Sequence, residues 1–193
     1  MTLPSCPAWA SWQACLAPLA LGLAMAWPAG ACAQALAAVR ESALRAAFVY
    51  KFTGFVEWPP GAFARADEPL VIGVAGDEEL AAELEQAVAG RTADGRPLAV
   101  RRLREVEGAG GLHVLVLAPA REARVREAVQ STPGAVLVVT QQDDGLRLGG
   151  VLNLLADGGR LRFSASLTAA EARSLRLSAR LLALAQTVEG RSR

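Results

Sequence analysis

Histidine and lysine are almost absent from this 193-residue chain. His113 is the single histidine and Lys51 the single lysine, against nineteen arginines. One histidine excludes a multi-histidine metal site and leaves room for at most one Ser–His or Cys–His pair. One lysine, inside a helical pattern, excludes a P-loop and a receiver-type site with its lysine after a late strand. Cysteine is confined to the start of the chain, at Cys6, Cys15 and Cys32. The formal net charge is +1, so the basic excess of a general nucleic-acid binder is missing. No heptad, collagen or solenoid period is present.

Charge is absent altogether from residues 1–39; Arg40 and Glu41 are the first charged side chains. Within that neutral segment, Cys15 to Trp27 is an apolar stretch, followed by Pro28 and the small residues Ala29-Gly30-Ala31-Cys32-Ala33. An apolar helix, a breaker and a small-x-small site make up a secretory signal peptide, although its usual basic start is missing. Cleavage is expected after Ala33, with Ala35 as the second option. That leaves residues 34–193 as one exported, periplasmic domain. Pro18 and Pro28 interrupt the run, which disfavours an uncleaved anchor. Acylation of Cys32 is the weaker reading, because Ala29-Gly30-Ala31 lacks the usual leucine. The mature chain then holds no cysteine, so it has no disulfide, no thiolate ligand and no cysteine nucleophile.

The whole chain is 52% hydrophobic, ample for a core and incompatible with disorder over most of its length. Leu36 to Phe55 reads as a helix: Leu36, Val39, Ala43, Ala46, Ala47 and Tyr50 make one stripe. Leu44, Phe48, Phe52 and Phe55 widen it, and Trp58-Pro59-Pro60-Gly61 stops it. Leu70–Ala75, Pro97–Leu103, Leu112–Leu117 and Ala135–Thr140 read as buried strands. Helices are expected at Glu78–Ala89 and Arg121–Gln130. Continuous apolar strands alternating with helices indicate an α/β fold with a mostly parallel sheet flanked by helices. After residue 140 the pattern changes. Gly149–Leu155 and Arg160–Ala165, separated by Ala156-Asp157-Gly158-Gly159, predict a late antiparallel hairpin. Thr168 and Glu171 form a capping box that opens a C-terminal helical region, with Leu177, Leu181, Leu184 and Val188 as its stripe.

No catalytic or cofactor constellation emerges. His113 lies within an apolar strand and reads as a buried histidine with a hydrogen-bond partner. Gly73-Val74-Ala75-Gly76 resembles part of a phosphate-binding turn but lacks the third glycine of the dinucleotide fingerprint. Asp143 and Asp144 read as solvated turn acids. Arg101, Arg102 and Arg104 read as charges guarding an edge strand.

Five stretches together resemble the YfiR-like family of periplasmic proteins. They are Leu44-Arg45-Ala46-Ala47-Phe48-Val49-Tyr50-Lys51-Phe52-Thr53-Gly54-Phe55-Val56-Glu57-Trp58-Pro59; Ile72-Gly73-Val74-Ala75-Gly76-Asp77; Gly95 to Arg102; Gly149-Gly150-Val151-Leu152-Asn153-Leu154; and Arg162-Phe163 with Leu175 to Ala185. The resemblance implies a non-enzymatic repressor, with no catalytic residue, cofactor or metal. Its partner would be the periplasmic sensor region of a membrane-bound diguanylate cyclase, whose inhibition lowers cyclic di-GMP and biofilm formation. It also implies a homodimer. Partner contacts carried over from the family fall on Gly149, Gly150, Leu152, Asn153, Phe163 and Leu175. Alternate strand positions also place Leu161, Phe163 and Ala165 on one inward face, which favours a core role for Phe163. The alternative is a periplasmic module that binds a small ligand or peptide and serves a sensor kinase or a transporter.

Overall fold

Each apolar run in the middle of the chain becomes a strand with both faces covered. The computed structural model describes residues 29–104, 110–157 and 160–190. From the N-terminus the order is α1 (Ala29–Thr53), β1 (Val56–Glu57), β2 (Leu70–Ala75), α2 (Glu78–Val88), β3 (Thr92–Ala93), β4 (Arg96–Leu103), β5 (Val114–Leu117), α3 (Glu122–Gln130) and β6 (Leu137–Thr140). Then follow β7 (Leu152–Asp157), β8 (Arg160–Ser166), α4 (Leu167–Ala172), β9 (Arg176–Leu177), α5 (Ala179–Leu184) and β10 (Thr187–Glu189). The apolar stretch expected as a signal peptide lies outside the described residues up to Pro28; Ala29–Ala33 forms the first turns of α1.

The main sheet has the order β10-β8-β7-β6-β5-β2-β4-β3. Pairing is parallel from β4 through β2, β5 and β6 to β7, and β10 is parallel to β8. The β7–β8 hairpin is antiparallel, with Leu154 opposite Phe163. Two cores sandwich the sheet. Val114 and Val116 of β5 point into the one roofed by α1, α2 and α5, with Val49, Phe52, Leu80, Leu84 and Leu181. Leu115 and Leu117 point into the other, under Val125 and Ala128 of α3. That two-sided burial is why these strands are apolar at every position rather than at every second one.

Two glycines show why the turn after β2 needs their lack of a side chain. A Cβ on Gly73 would stand 2.7 Å from Leu112 Cδ1 and 2.9 Å from Leu103 Cδ1. Gly76 turns the chain at φ +80° into Asp77, whose Oδ1 accepts from Leu80 N–H at 2.9 Å and caps α2. Packing and capping therefore account for the Gly73–Gly76 segment without a phosphate.

The C-terminal region departs from its predicted pattern. Its stripe is divided: Leu177 lies in β9, Leu181 is buried in α5, Leu184 is 71% exposed, and Val188 lies in β10. Leucines three or four apart fit a helix, but the edge of the sheet recruits Thr187–Glu189 as a strand beside β8. Ser178 restarts a short helix, its Oγ accepting from Leu181 N–H at 3.3 Å. The Thr168–Glu171 capping box is also displaced. Ser166 is the cap, accepting from Ala169 N–H at 3.2 Å, so Thr168 sits inside the first turn. The pairing of β1 with β9 and the strand β3 leave no periodic trace, because each spans only two residues.

Replacing Gly73 by alanine is expected to lower stability by about 1–3 kcal/mol, the cost of overpacking a filled core. An unchanged urea midpoint for Gly73→Ala would contradict this packing.

Candidate functional site

The Gly149–Asn153 segment sits where β6 crosses to its parallel neighbour β7. Parallel strands usually need a helix in such a crossover; here residues 141–151 make it as a tight loop. Asn153 holds that loop. Its Oδ1 accepts from Thr140 Oγ1 at 2.9 Å, and its Nδ2 donates to Gln142 O at 2.9 Å. Space beneath the staple is left by glycine. A Cβ on Gly150 would stand 2.7 Å from Thr140 Oγ1 and 2.9 Å from Gly145 O. Gly149, at φ +102°, lies against Val129 of α3, where a Cβ would come within 2.8 Å of Cγ1. Leu152 is fully buried and Asn153 nearly so.

Gly149, Gly150 and Asn153 are therefore brought together at the crossover. Leu152 faces the other way, into the core that also holds Phe163 and Leu175. Phe163 lies edge-on to Phe52 at 5.1 Å and to Phe48 at 6.4 Å. Leu175 is buried beyond α4, its N–H donating to Ala170 O at 2.9 Å. Gly149 is half-buried, and the other five are buried.

The exposed apolar surface lies just above them. Leu44 is 45% exposed and Leu184 71% exposed. Phe48, one turn along α1 from Leu44, and Leu161, two residues before Phe163 on the same face of β8, are half-buried. Leu184 lies two residues before Gln186, whose N–H donates to Phe163 O at 2.8 Å. Sequence reasoning placed Leu184 inward and missed this surface. Its one trace is the width of the α1 stripe, which carries more apolar side chains than one sheet contact needs.

His113 has the buried, bonded role its setting predicts. Its Nδ1 accepts from Val71 N–H at 3.1 Å, so the ring hydrogen sits on Nε2 and points to Ala62 O, 3.2 Å away. The ring stacks on Phe63 at 4.2 Å, and the Arg96 guanidinium covers Phe63's other side at 3.9 Å. Arg96 Nη1 also donates to Arg65 O, Ala66 O and Glu68 O. Together they pin the loop between β1 and β2. Burial pushes the His113 pKa below its usual value; the Arg96 charge adds to this, while the Ala62 carbonyl and Glu68 oppose it. Arg102 leaves the arginine cluster to pair with Glu78 and Glu85 on α2, at 3.0 and 2.7 Å. Arg101 instead donates to Gly110 O at 3.0 Å. Asp144 is a surface acid paired with Arg147 at 3.1 Å. Among the described residues no three His, Cys, Asp or Glu side chains cluster as metal ligands, and no helix is long and apolar enough to cross a membrane.

Two outcomes follow. Asn153→Ala leaves the Gln142 carbonyl without its partner and the Thr140 hydroxyl with only Leu152 O, 3.3 Å away, at about 1–3 kcal/mol for a buried group. The isolated protein should therefore lose about 2 kcal/mol in urea unfolding; loss of partner binding at unchanged stability would instead make Asn153 a direct contact. For His113, the unfolded state binds the proton more readily than the fold does. Its contribution is thus complete above about pH 6.5, the ordinary histidine value, and falls as the pH drops below that. Tm measured from pH 5 to 8 should show this acid limb, and His113→Gln should flatten it.

No curated protein matches the chain. Residues 42–186, from Ser42 in the middle of α1 to the residue before β10, match the YfiR/HmsC-like family. That span contains the Asn153 staple, the Phe163 cluster and the His113 lock, and the chain belongs to the YfiR/HmsC-like family.

Proposed function

We propose that this protein is an exported, non-enzymatic regulator. It binds the periplasmic sensor region of a membrane diguanylate cyclase and holds the cyclase off. Family membership supports the regulatory reading. The single structural observation that supports docking is the apolar surface of Leu44, Phe48, Leu161 and Leu184, part of it strongly exposed. Exposed apolar surface of this kind marks interaction sites. On this reading the six residues of the hairpin and C-terminal region act from beneath. Phe163 supports Phe48 and fixes the height of Leu161. Gly149, Gly150, Leu152 and Asn153 fix β7, against which β8 is registered. Leu175 anchors the return of the chain towards α5. A homodimer would present two copies of the surface.

Repression needs only differential binding. The regulator favours the inactive sensor conformation and shifts the cyclase by the difference between its affinities for the two states. Its release raises cyclic di-GMP inside the cell.

The test is a pull-down from detergent-solubilised membranes with the chain from Gln34 as bait, alongside deletion of the gene. A membrane diguanylate cyclase should be recovered, and deletion should raise cyclic di-GMP. Leu44→Asp and Leu184→Asp should each cut recovery by about tenfold or more, the scale of an interface hot spot, with the fold intact because both side chains face solvent. Unchanged cyclic di-GMP on deletion would sink the reading. Full recovery by both variants would remove this surface from it.

A further inference from the structure

The sheet has a topological switch point that the regulatory reading does not use. From β2 the chain passes through α2 to β4 on one side; from β5 it passes through α3 to β6 on the other. The two helices cover opposite faces of the sheet. The carboxyl ends of β2 and β5, neighbours in the sheet, therefore open a crevice between diverging connections, the place where open α/β sheets take ligands. A cavity of about 430 Å³ lies there. Its apolar wall includes Leu117, Pro119 and Val125, and Gly76 leaves room at the turn. Arg104, following β4, and Arg124, in the first turn of α3, line the same cavity.

We propose that this crevice binds a small organic anion: one phosphate or carboxylate head on a compact apolar body. The two arginines carry the argument. Arg102, Arg126, Arg147 and Arg162 each have a carboxylate within 4 Å. Among the described residues, Arg104 and Arg124 have none; exposed arginines such as Arg160 and Arg180 also have none, but only Arg104 and Arg124 line one cavity together. Arg124 is also placed against the local field, because the first turn of a helix favours acids and disfavours cations. α3 has no side-chain cap that would offset this. An anion bound between the guanidiniums supplies the missing partner, in the forked geometry arginine offers to phosphate and carboxylate. Glu127 lines the same cavity, so a single head group suits it better than a polyanion. The volume falls in the usual range for small-molecule sites, roughly 300–1,000 Å³.

The larger cavity, about 570 Å³ beside Pro59 and Arg173, lacks this chemistry. Arg173 already donates to Val129 O and Thr132 O, at 2.9 and 2.8 Å. It thereby closes the C-terminus of α3, a helix end that repels anions.

The inference does not depend on a cyclase partner, and its test uses the purified protein alone. Phenyl phosphate, benzoate and phenol are titrated by calorimetry and by thermal unfolding. One or both anions should bind saturably and raise Tm, and phenol should not. Arg104→Gln and Arg124→Gln should each weaken binding by about tenfold, the scale of a lost charge-assisted contact. Arg126→Gln, whose partner is Glu122, should leave binding unchanged. Preference for phenyl phosphate assigns a phosphate head; preference for benzoate assigns a carboxylate. Three results would overturn the site: no saturable anion binding, phenol binding as tightly as the anions, or undiminished binding by the Arg104→Gln/Arg124→Gln double variant.

Discussion

Everything after residue 140 depends on one polar staple. β6 and β7 run parallel, and the chain crosses between them without a helix. That is possible because Asn153 ties Thr140 at the end of β6 to the Gln142 carbonyl in the loop. Both groups are buried, where an unpaired donor or acceptor is costly. The staple sets the height at which β7 starts, β7 registers β8, and β8 places Phe163 under α1. α5 and β10 are hung from the same register, through Gln186 on Phe163 and Thr187 opposite Ser164. A sequence motif with no catalytic sense thus has a mechanical one: Gly149, Gly150 and Asn153 make room for a loop and then hold it there.

The first half of the fold could be read from the sequence because its physics is local. β2, β5 and β6 are rich in β-branched and apolar residues and short, and α2 and α3 show one inward stripe each. Nothing nearby competes with those preferences. The last forty residues were harder for a physical reason. Leu177, Leu181, Leu184 and Val188 have helical spacing, yet strand pairing wins over the helix at two of them: Leu177 pairs with β1 in a separate two-stranded sheet, and Val188 pairs with β8 at the edge of the main one. Propensity cannot foresee a partner strand that lies far away in sequence, such as Val56–Glu57 opposite Arg176–Leu177. The staple was legible only in part. Only the family resemblance singled out Gly149, Gly150 and Asn153, and it did so as partner contacts, with no sign of the crossover loop.

His113 illustrates the same division. Its burial followed from its place in an apolar run. Its tautomer followed only from the structure, because Val71 N–H fixes Nδ1 as the acceptor. The stack of Arg96, Phe63 and His113 joins three segments distant in sequence, so no window of residues displays it. It replaces the regular structure that the loop between β1 and β2 lacks: the ring hydrogen holds Ala62 and the guanidinium holds the carbonyls of Arg65, Ala66 and Glu68.

The energetics of a binding regulator fit such a frame. Moving a two-state partner from almost wholly active to almost wholly inactive takes about 5.5 kcal/mol of differential affinity. Fully burying a leucine or phenylalanine contributes roughly 1.5–3 kcal/mol. Leu44 and Leu184, both substantially exposed, and the half-buried Phe48 and Leu161 together offer surface of that order, provided they do not shift on binding. Side chains that had to be ordered first would return part of the gain as lost entropy. Here Phe48 already rests on Phe52 and Phe163, and Leu161 belongs to a strand paired on the β7 side. On the proposed reading, the buried rings and the staple would contribute to recognition by keeping the contact surface in one arrangement.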